Sequence, residues 1–122
     1  MTATSTATTP DVHPVFAAMA EATARGDFEA LVELYHPDAE WARFQGVLRG
    51  RAEIREVLER YWALGVEFVS MDEYIHSGDT IMTRSTMTIK GTTEVAFGAY
   101  VVKDGMLWRI FGAVEGGAVS FW

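Results

Sequence analysis

The apolar residues of this chain change period once, at Val66, from about 3.6 to about 2 residues, and never change back. Upstream of that point the stripes are helical. Val12, Phe16, Met19 and Thr23 share one face of a first helix. Asp11 or a near neighbour caps it, Pro14 is tolerated in its first turn, and Gly26 suits the left-handed position beyond its end. Asp27 caps a second helix with Phe28, Leu31, Val32 and Tyr35 at i, i+3, i+4 and i+7, and Pro37 is expected to stop it. A short strand follows at Ala39–Phe44. A third helix opens at Gly50, buries Ile54, Val57, Leu58, Tyr61 and Trp62, pairs Glu56 with Arg60 outside, and ends at Gly65.

Downstream, strands are expected at Val66–His76, Asp79–Lys90, Thr93–Lys103 and Met106–Val114. The turns between them, Ser77-Gly78-Asp79, Gly91-Thr92 and Lys103-Asp104-Gly105, are short enough to force antiparallel neighbours. Helices followed by an antiparallel meander make an α+β fold, a curved sheet wrapped around three N-terminal helices that leaves a pocket.

Hairpin arithmetic assigns faces. With Gly91-Thr92 at one tip, Arg84 lies opposite Gly98 and Thr86 opposite Ala96; with Asp104-Gly105 at the next, Gly98 faces Ile110. One face then collects Met82, Arg84, Thr86, Ala96, Gly98, Tyr100, Ile110, Gly112 and Val114. The other collects Ile81, Met87, Ile89, Val95, Phe97, Val101, Leu107, Arg109 and Phe111. Small residues on the first face leave volume for a small molecule. Both faces are apolar, so a homodimer through the outer Phe97/Phe111 face is expected.

A chain of 122 residues is one domain, expected over 11–122 behind a disordered tail at 1–10. The net charge of −7 offers no basic stripe for nucleic acid. No apolar run approaches the roughly 20 residues that cross a bilayer, and residues 1–9 lack the apolar run of a signal peptide. Cysteine is absent, which suits a reducing compartment, with cytoplasm the default. His13, His36 and His76 show no metal-ligand spacing, and no glycine-rich phosphate loop or nucleophile elbow is present, so neither metal nor cofactor is expected.

Four segments carry a family pattern: Gly26-Asp27-Phe28-Glu29-Ala30-Leu31, Tyr35-His36-Pro37-Asp38-Ala39-Glu40-Trp41, Gly50-Arg51-Ala52-Glu53-Ile54, and Lys103-Asp104-Gly105 before the last strand. From Val12 to Glu115 the chain resembles the nuclear transport factor 2-like superfamily, nearest to its SnoaL-like polyketide cyclases and ketosteroid isomerases. The resemblance implies a conical α+β barrel, often dimeric, in a superfamily of isomerases, aldol cyclases, dehydratases, epoxide hydrolases and non-catalytic binders. The ketosteroid isomerase residues do not carry over. The position of their general-base Asp is Arg43, and those of their oxyanion-hole Tyr and Asp fall at about Met19 and Gly98. The Arg-x-Asp pair of limonene epoxide hydrolases is also missing, since Ser85-Thr86 follows Arg84.

The site candidates follow. Arg43 shares a strand face with Trp41, and Arg84 projects where Gly98 leaves room; each needs a carboxylate, carbonyls or a ligand once buried. Glu40, Glu94 and Asp72 are the structural alternatives as their partners. His76 ends a strand before a turn, where a histidine is either turn-exposed or, if it faces inward, of a type suited to proton transfer, and Glu94 is a carboxylate able to face the cavity. Trp41, Met19, Tyr35, Trp62, Met82, Thr86, Tyr100 and Gly98 are expected to contact substrate, Trp108 is a further candidate wall, and the apolar C-terminal residues 118–122 are expected to dock on the barrel or close its mouth. The expected activity is a cofactor-independent cyclase, isomerase or dehydratase acting on a hydrophobic carbonyl compound. A non-catalytic ligand-binding protein and an epoxide hydrolase are the alternatives.

Overall fold

The computed structural model describes residues 12–115. The expected N-terminal tail and the docking of residues 118–122 lie outside them. Helix α1 spans Pro14–Arg25. Pro14 has no N–H to offer, so the His13 ring reaches one residue further and its Nδ1 accepts from Val15 N at 3.2 Å. At the other end Gly26 takes φ +68° and its N–H returns to Thr23 O.

Helix α2, Phe28–Glu33, is capped by Asp27, whose Oδ1 accepts from Ala30 N at 3.1 Å. It ends before Pro37, and Tyr35 already belongs to strand β1, Tyr35–Arg43. The stop comes from tertiary structure. Arg51, on α3, donates Nε to Tyr35 O at 2.7 Å and Nη2 to Glu33 O at 3.2 Å, while Leu107 N takes Leu34 O. Carbonyls claimed this way cannot continue the helix. A strand absent from the sequence reading, β2 at Gly46–Arg49, folds back on β1, and α3 runs Gly50–Ala63.

The meander is β3 Glu67–Ser77, β4 Thr80–Ile89, β5 Thr92–Lys103 and β6 Met106–Glu115. Strand β1 runs parallel to β6, giving one curved sheet in the order β2-β1-β6-β5-β4-β3. The sheet stays open, with β2 and β3 as edges, and two bulges break the regularity of β3.

The β4–β5 register differs from the expected one by a single residue. The tip is Lys90-Gly91, with φ of 52° and 80°, so Ile89 pairs with Thr92 and Gly98 lies opposite Thr83. A one-residue slip moves every side chain of a strand to the other face. Ile81, Thr83 and Met87 therefore face inward, while Met82, Arg84 and Thr86 share the outer face with Phe97 and Phe111. Between β5 and β6 the expected faces hold although the pairing is shifted by two residues, with Gly98 opposite Gly112 rather than Ile110, and Tyr100 opposite Ile110. Leu107 is the exception. The register shift between Val101 and Val102 leaves Trp108 as the extra residue and turns Leu107 into the core. Trp108 itself lies against Lys103 and Arg109 rather than in a pocket.

The core is Ile54, Val57 and Leu58 of α3, Leu31 and Val32 of α2, and Val15, Phe16 and Ala22 of α1, packed on Ala39, Trp41, Ile81, Val102, Leu107 and Ile110. Ile81 is 0% exposed. Ile81→Ala is expected to cost about 2–5 kcal/mol in chemical denaturation, the range for opening a cavity in a packed core.

Candidate functional site

Gly98 and Gly112 are opposite each other on adjacent strands and face inward, so the sheet has no side chain there. Two aromatic groups fold onto the bare backbone. A Cβ on Gly98 would stand 2.7 Å from the Tyr100 hydroxyl, and one on Gly112 would stand 3.2 Å from Trp41 Nε1. The small residues thus receive Tyr100 and Trp41 instead of leaving the space empty. Trp41 stacks on Tyr61 of α3, with centroids 6.4 Å apart and 9° between the planes.

These polar groups are close enough to influence one another. Burial pushes the Tyr35, Tyr61 and Tyr100 hydroxyls upward in pKa, and mutual repulsion of their charged forms adds to the rise of Tyr35 and Tyr61. A hydrogen bond with Thr83 pulls Tyr100 the other way. Burial lowers the pKa of Arg43, with Tyr61 opposing, and Arg43 in turn opposes the rise at Tyr61. At neutral pH the cluster consists of protonated phenols, an indole N–H and a guanidinium.

Tyr61 also lines a cleft. The cleft, of about 550 Å³, opens between the end of α1, α3 and the first residues of β3, lined by Thr23, Arg25, Leu58, Tyr61, Trp62 and Met87. Met87 is the cross-strand partner of Glu94 on the same face. Glu94 is 3% exposed, and its Oε2 takes no hydrogen bond among the described residues. A buried carboxylate oxygen without a donor is costly, which is why such groups concentrate at functional sites.

Several expected site residues belong elsewhere. Arg84 donates Nη2 to Glu73 Oε2 at 2.9 Å and sits over Phe97 on the outer face, and its charge reaches Asp72, one of the expected carboxylates. Met82 is exposed on that face, and Thr86 gives its hydroxyl to Asp72, whose pKa this bond and one from Ser70 lower. Glu40 is engaged with Arg49 and Arg109. His76 is not turn-exposed; its Nδ1 lies 2.8 Å from the Tyr74 hydroxyl, which also accepts from His13 N at 2.9 Å. It lines neither cavity described here. Met19 packs on the core, and Trp62 lies edge-on to Phe28 at the cleft. Trp41, Tyr35, Tyr100, Gly98 and Arg43 are brought together as described, and Glu94 shares their sheet face. Thr83 was missed through the register. The signal was available, since Ile81, Met87 and Ile89 make the odd-numbered face of β4 the more apolar one.

Helices packed on the inner face of a curved open sheet, with a cleft beside a buried donor cluster, define an α+β fold. The chain belongs to the SnoaL-like domain family, whose model matches residues 16–110. It is similar to TerC co-crystallised with polyporic acid, at 23% identity over 85% of this chain and 91% of that one, with a TM-score of 0.71. A candidate polyketide cyclase from Sinorhizobium meliloti is 21% identical over 84% and 96%, with a TM-score of 0.73. A nuclear transport factor 2-like protein of unknown function from Cytophaga hutchinsonii is 14% identical over 83% and 87%, with a TM-score of 0.70. At these identities the likenesses establish the fold. None of the curated proteins matches the chain. Among the described residues no helix is long and apolar enough to cross a membrane.

Two outcomes follow. Tyr35, Tyr61 and Tyr100 hold their protons beyond the ordinary value of 10.0. The unfolded chain then loses protons first, so stability should fall as pH rises past about 10, and phenolate absorbance of the native chain should lag that of the urea-unfolded chain. Gly98→Ala drives a Cβ against Tyr100 and is expected to cost about 1–3 kcal/mol in chemical denaturation, with Tyr100→Ala relieving part of the penalty in the double variant.

Proposed function

We propose that this chain is a cofactor-independent enzyme that moves a proton on a hydrophobic, carbonyl-bearing small molecule, as a cyclase, isomerase or dehydratase of the SnoaL-like kind. The observation that carries the reading is the pairing of donor groups with a buried acid on one sheet face. Tyr100, Tyr61, Trp41 and Arg43 offer hydrogen bonds to an oxygen that gains charge, while Glu94 offers a carboxylate oxygen with no donor among the described residues. Donors fixed where charge develops are worth several kcal/mol in a water-poor site. Glu94 and Gly98 are separated along β5 by about 13 Å at the usual strand rise. The carbonyl held by the donors and the acidic C–H that meets the carboxylate are therefore conjugated through the ring system of a rigid polycyclic substrate, and are not adjacent in it.

The base therefore differs from that of ketosteroid isomerases. Where those enzymes carry Asp, this chain has Arg43, so a proton acceptor has to come from another strand. A similar fold co-crystallised with polyporic acid is an instance of a small organic ligand in this architecture. The runner-up is a binding protein that uses the same donors without proton transfer, favoured by the loss of all three ketosteroid isomerase residues.

Anthrone, a hydrophobic tricyclic ketone whose acidic C10 hydrogens are conjugated with the carbonyl across the ring, tests the reading by NMR-monitored deuterium exchange, and 2-naphthol, an enol mimic, reports binding by fluorescence. The wild type should accelerate exchange over buffer. Glu94→Gln should lose about 10²-fold or more of that rate while keeping 2-naphthol affinity. Tyr100→Phe should weaken both. Binding of 2-naphthol without exchange in the wild type would establish the binding protein instead.

A further inference from the structure

Two of the described polar or charged residues are buried, Thr83 and Glu94. The proposed function uses Glu94 as the base and leaves Thr83 without a task. Thr83 is 6% exposed and shares a face of β4 with Ile81, which is fully buried. Valine would fill the same volume there with no hydroxyl to desolvate. A hydroxyl in such a place is costly unless it is bonded.

Register gives Thr83 a particular neighbourhood. Across the sheet, Tyr74 of β3, Thr83 of β4, Gly98 of β5 and Gly112 of β6 form one row. Directly opposed residues of antiparallel strands hold their Cβ atoms about 4.5–5.5 Å apart. Gly98 has none, and the Tyr100 ring folds back along β5 into the space. Its hydroxyl lies 2.7 Å, and its Cε1 3.1 Å, from where that Cβ would stand. The phenol oxygen is thereby brought to the side chain opposite the gap, and Thr83 and Tyr100 are hydrogen-bonded. On the outer face the same residues, Thr83 and Gly98, border a groove of about 670 Å³ together with Phe97 and Phe111. Strand alternation turns the Thr83 side chain away from that groove and toward Tyr100.

We propose that Thr83 is a positioning residue of the donor cluster: it holds the Tyr100 hydroxyl over the bare backbone of Gly98 and fixes the direction of the one proton that the pair presents to a ligand oxygen. The assignment rests on the proposed function, because Thr83 acts through Tyr100. Two hydroxyls carry two protons, and one is spent between them whichever oxygen donates. Neither hydroxyl has a further partner among the described residues, so the second proton remains for an acceptor that arrives with the ligand.

The ring of Tyr100 is already held by packing. Phe16 of α1 lies against it with centroids 5.8 Å apart and 63° between the planes. Apolar packing cannot restrict rotation about the phenol C–O bond, whose proton has two orientations in the ring plane. A hydrogen bond on one side of the oxygen selects between them. A donor whose direction is set in advance needs no reorganisation as charge develops on the ligand. The gap at Gly98 and the hydroxyl of Thr83 therefore act together, one admitting the phenol and the other aligning it.

Thr83→Val keeps the volume and removes the hydroxyl, whereas Thr83→Ser keeps the hydroxyl and removes the methyl. Circular dichroism melts report whether each folds, and Thr83→Ala replaces Thr83→Val if that variant does not. NMR of tyrosine isotopically labelled at Cζ reads the contact, with the Tyr100 resonance assigned by its absence from Tyr100→Phe. It should move in Thr83→Val and return close to the wild-type position in Thr83→Ser. Deuterium exchange into saturating anthrone reads the role. Thr83→Val should lose about 10-fold in rate, less than Tyr100→Phe because the phenol is still present, and Thr83→Ser should recover most of it. If packing alone were at issue, the loss of the methyl would be the more harmful change.

A Tyr100 resonance that stays put in Thr83→Val overturns the contact. A moved resonance with an unchanged exchange rate, or an equal loss in both variants, overturns the positioning role while the enzyme stands. A wild type that binds 2-naphthol but exchanges no anthrone overturns the enzyme. Thr83 then keeps its role if Thr83→Val weakens that binding and Thr83→Ser does not, and loses it otherwise. A wild type that does neither brings down the proposed function and this assignment with it.

Discussion

The turn at Lys90-Gly91 places β4 against β5, and both cavities depend on that placement. Its residues take φ of 52° and 80°, the primed geometry that matches the right-handed twist of a two-stranded ribbon. A lysine in that region is strained, so the hairpin must supply compensation from elsewhere. It comes from Ile81 and Ile89, both fully buried only in this register. Each buried isoleucine contributes about 1.5–3 kcal/mol. The alternative register would bury Arg84 in their place, and an interior guanidinium costs several kcal/mol unless paired. The alternating pattern of β4 and its tip geometry select the same pairing.

The consequence is a sheet whose two faces do different work at one spot. Gly98 and Gly112 leave adjacent strands without inward side chains at one spot, so the inner face receives Tyr100 and Trp41 there, and the backbone of the same two residues lines the groove on the outer face. A Cβ at either position would press on an aromatic that also contacts other parts of the core: Tyr100 lies 5.8 Å from the ring of Phe16, and Trp41 is stacked on Tyr61. The donor cluster is therefore held by packing from α1 and α3 as well as by the sheet. Held this way, its hydroxyls need little reorganisation when charge develops on a ligand.

Helices α1 and α3, the meander and its turns were legible in the sequence because local rules govern them. Proline, glycine, Asp27 and the two periodicities act over a few residues. The early end of α2 was not legible, because Arg51 of α3 takes the Glu33 and Tyr35 carbonyls across a gap that no local pattern records. Strand β2 escaped for a similar reason: a four-residue edge strand forms only where β1 is already in place. Of the candidate site, Trp41, Arg43, Tyr100, Gly98 and Glu94 could be read from strand alternation, Tyr35 was read on the apolar stripe of a helix that ends before it, and Arg84, Met82 and Thr86 went to the wrong face through a single-residue error in one hairpin.

What the chain's order of residues determined by itself is the inventory: three helices, a tightly turned meander, two apolar sheet faces and a donor-rich set of aromatics. Such features follow from short-range sterics and from the spacing of apolar groups. Which face became the interior, and which oxygen of Glu94 was left without a donor among the described residues, were decided only in three dimensions. Register and packing are collective, and a shift of one residue reverses a whole strand while leaving every local preference satisfied.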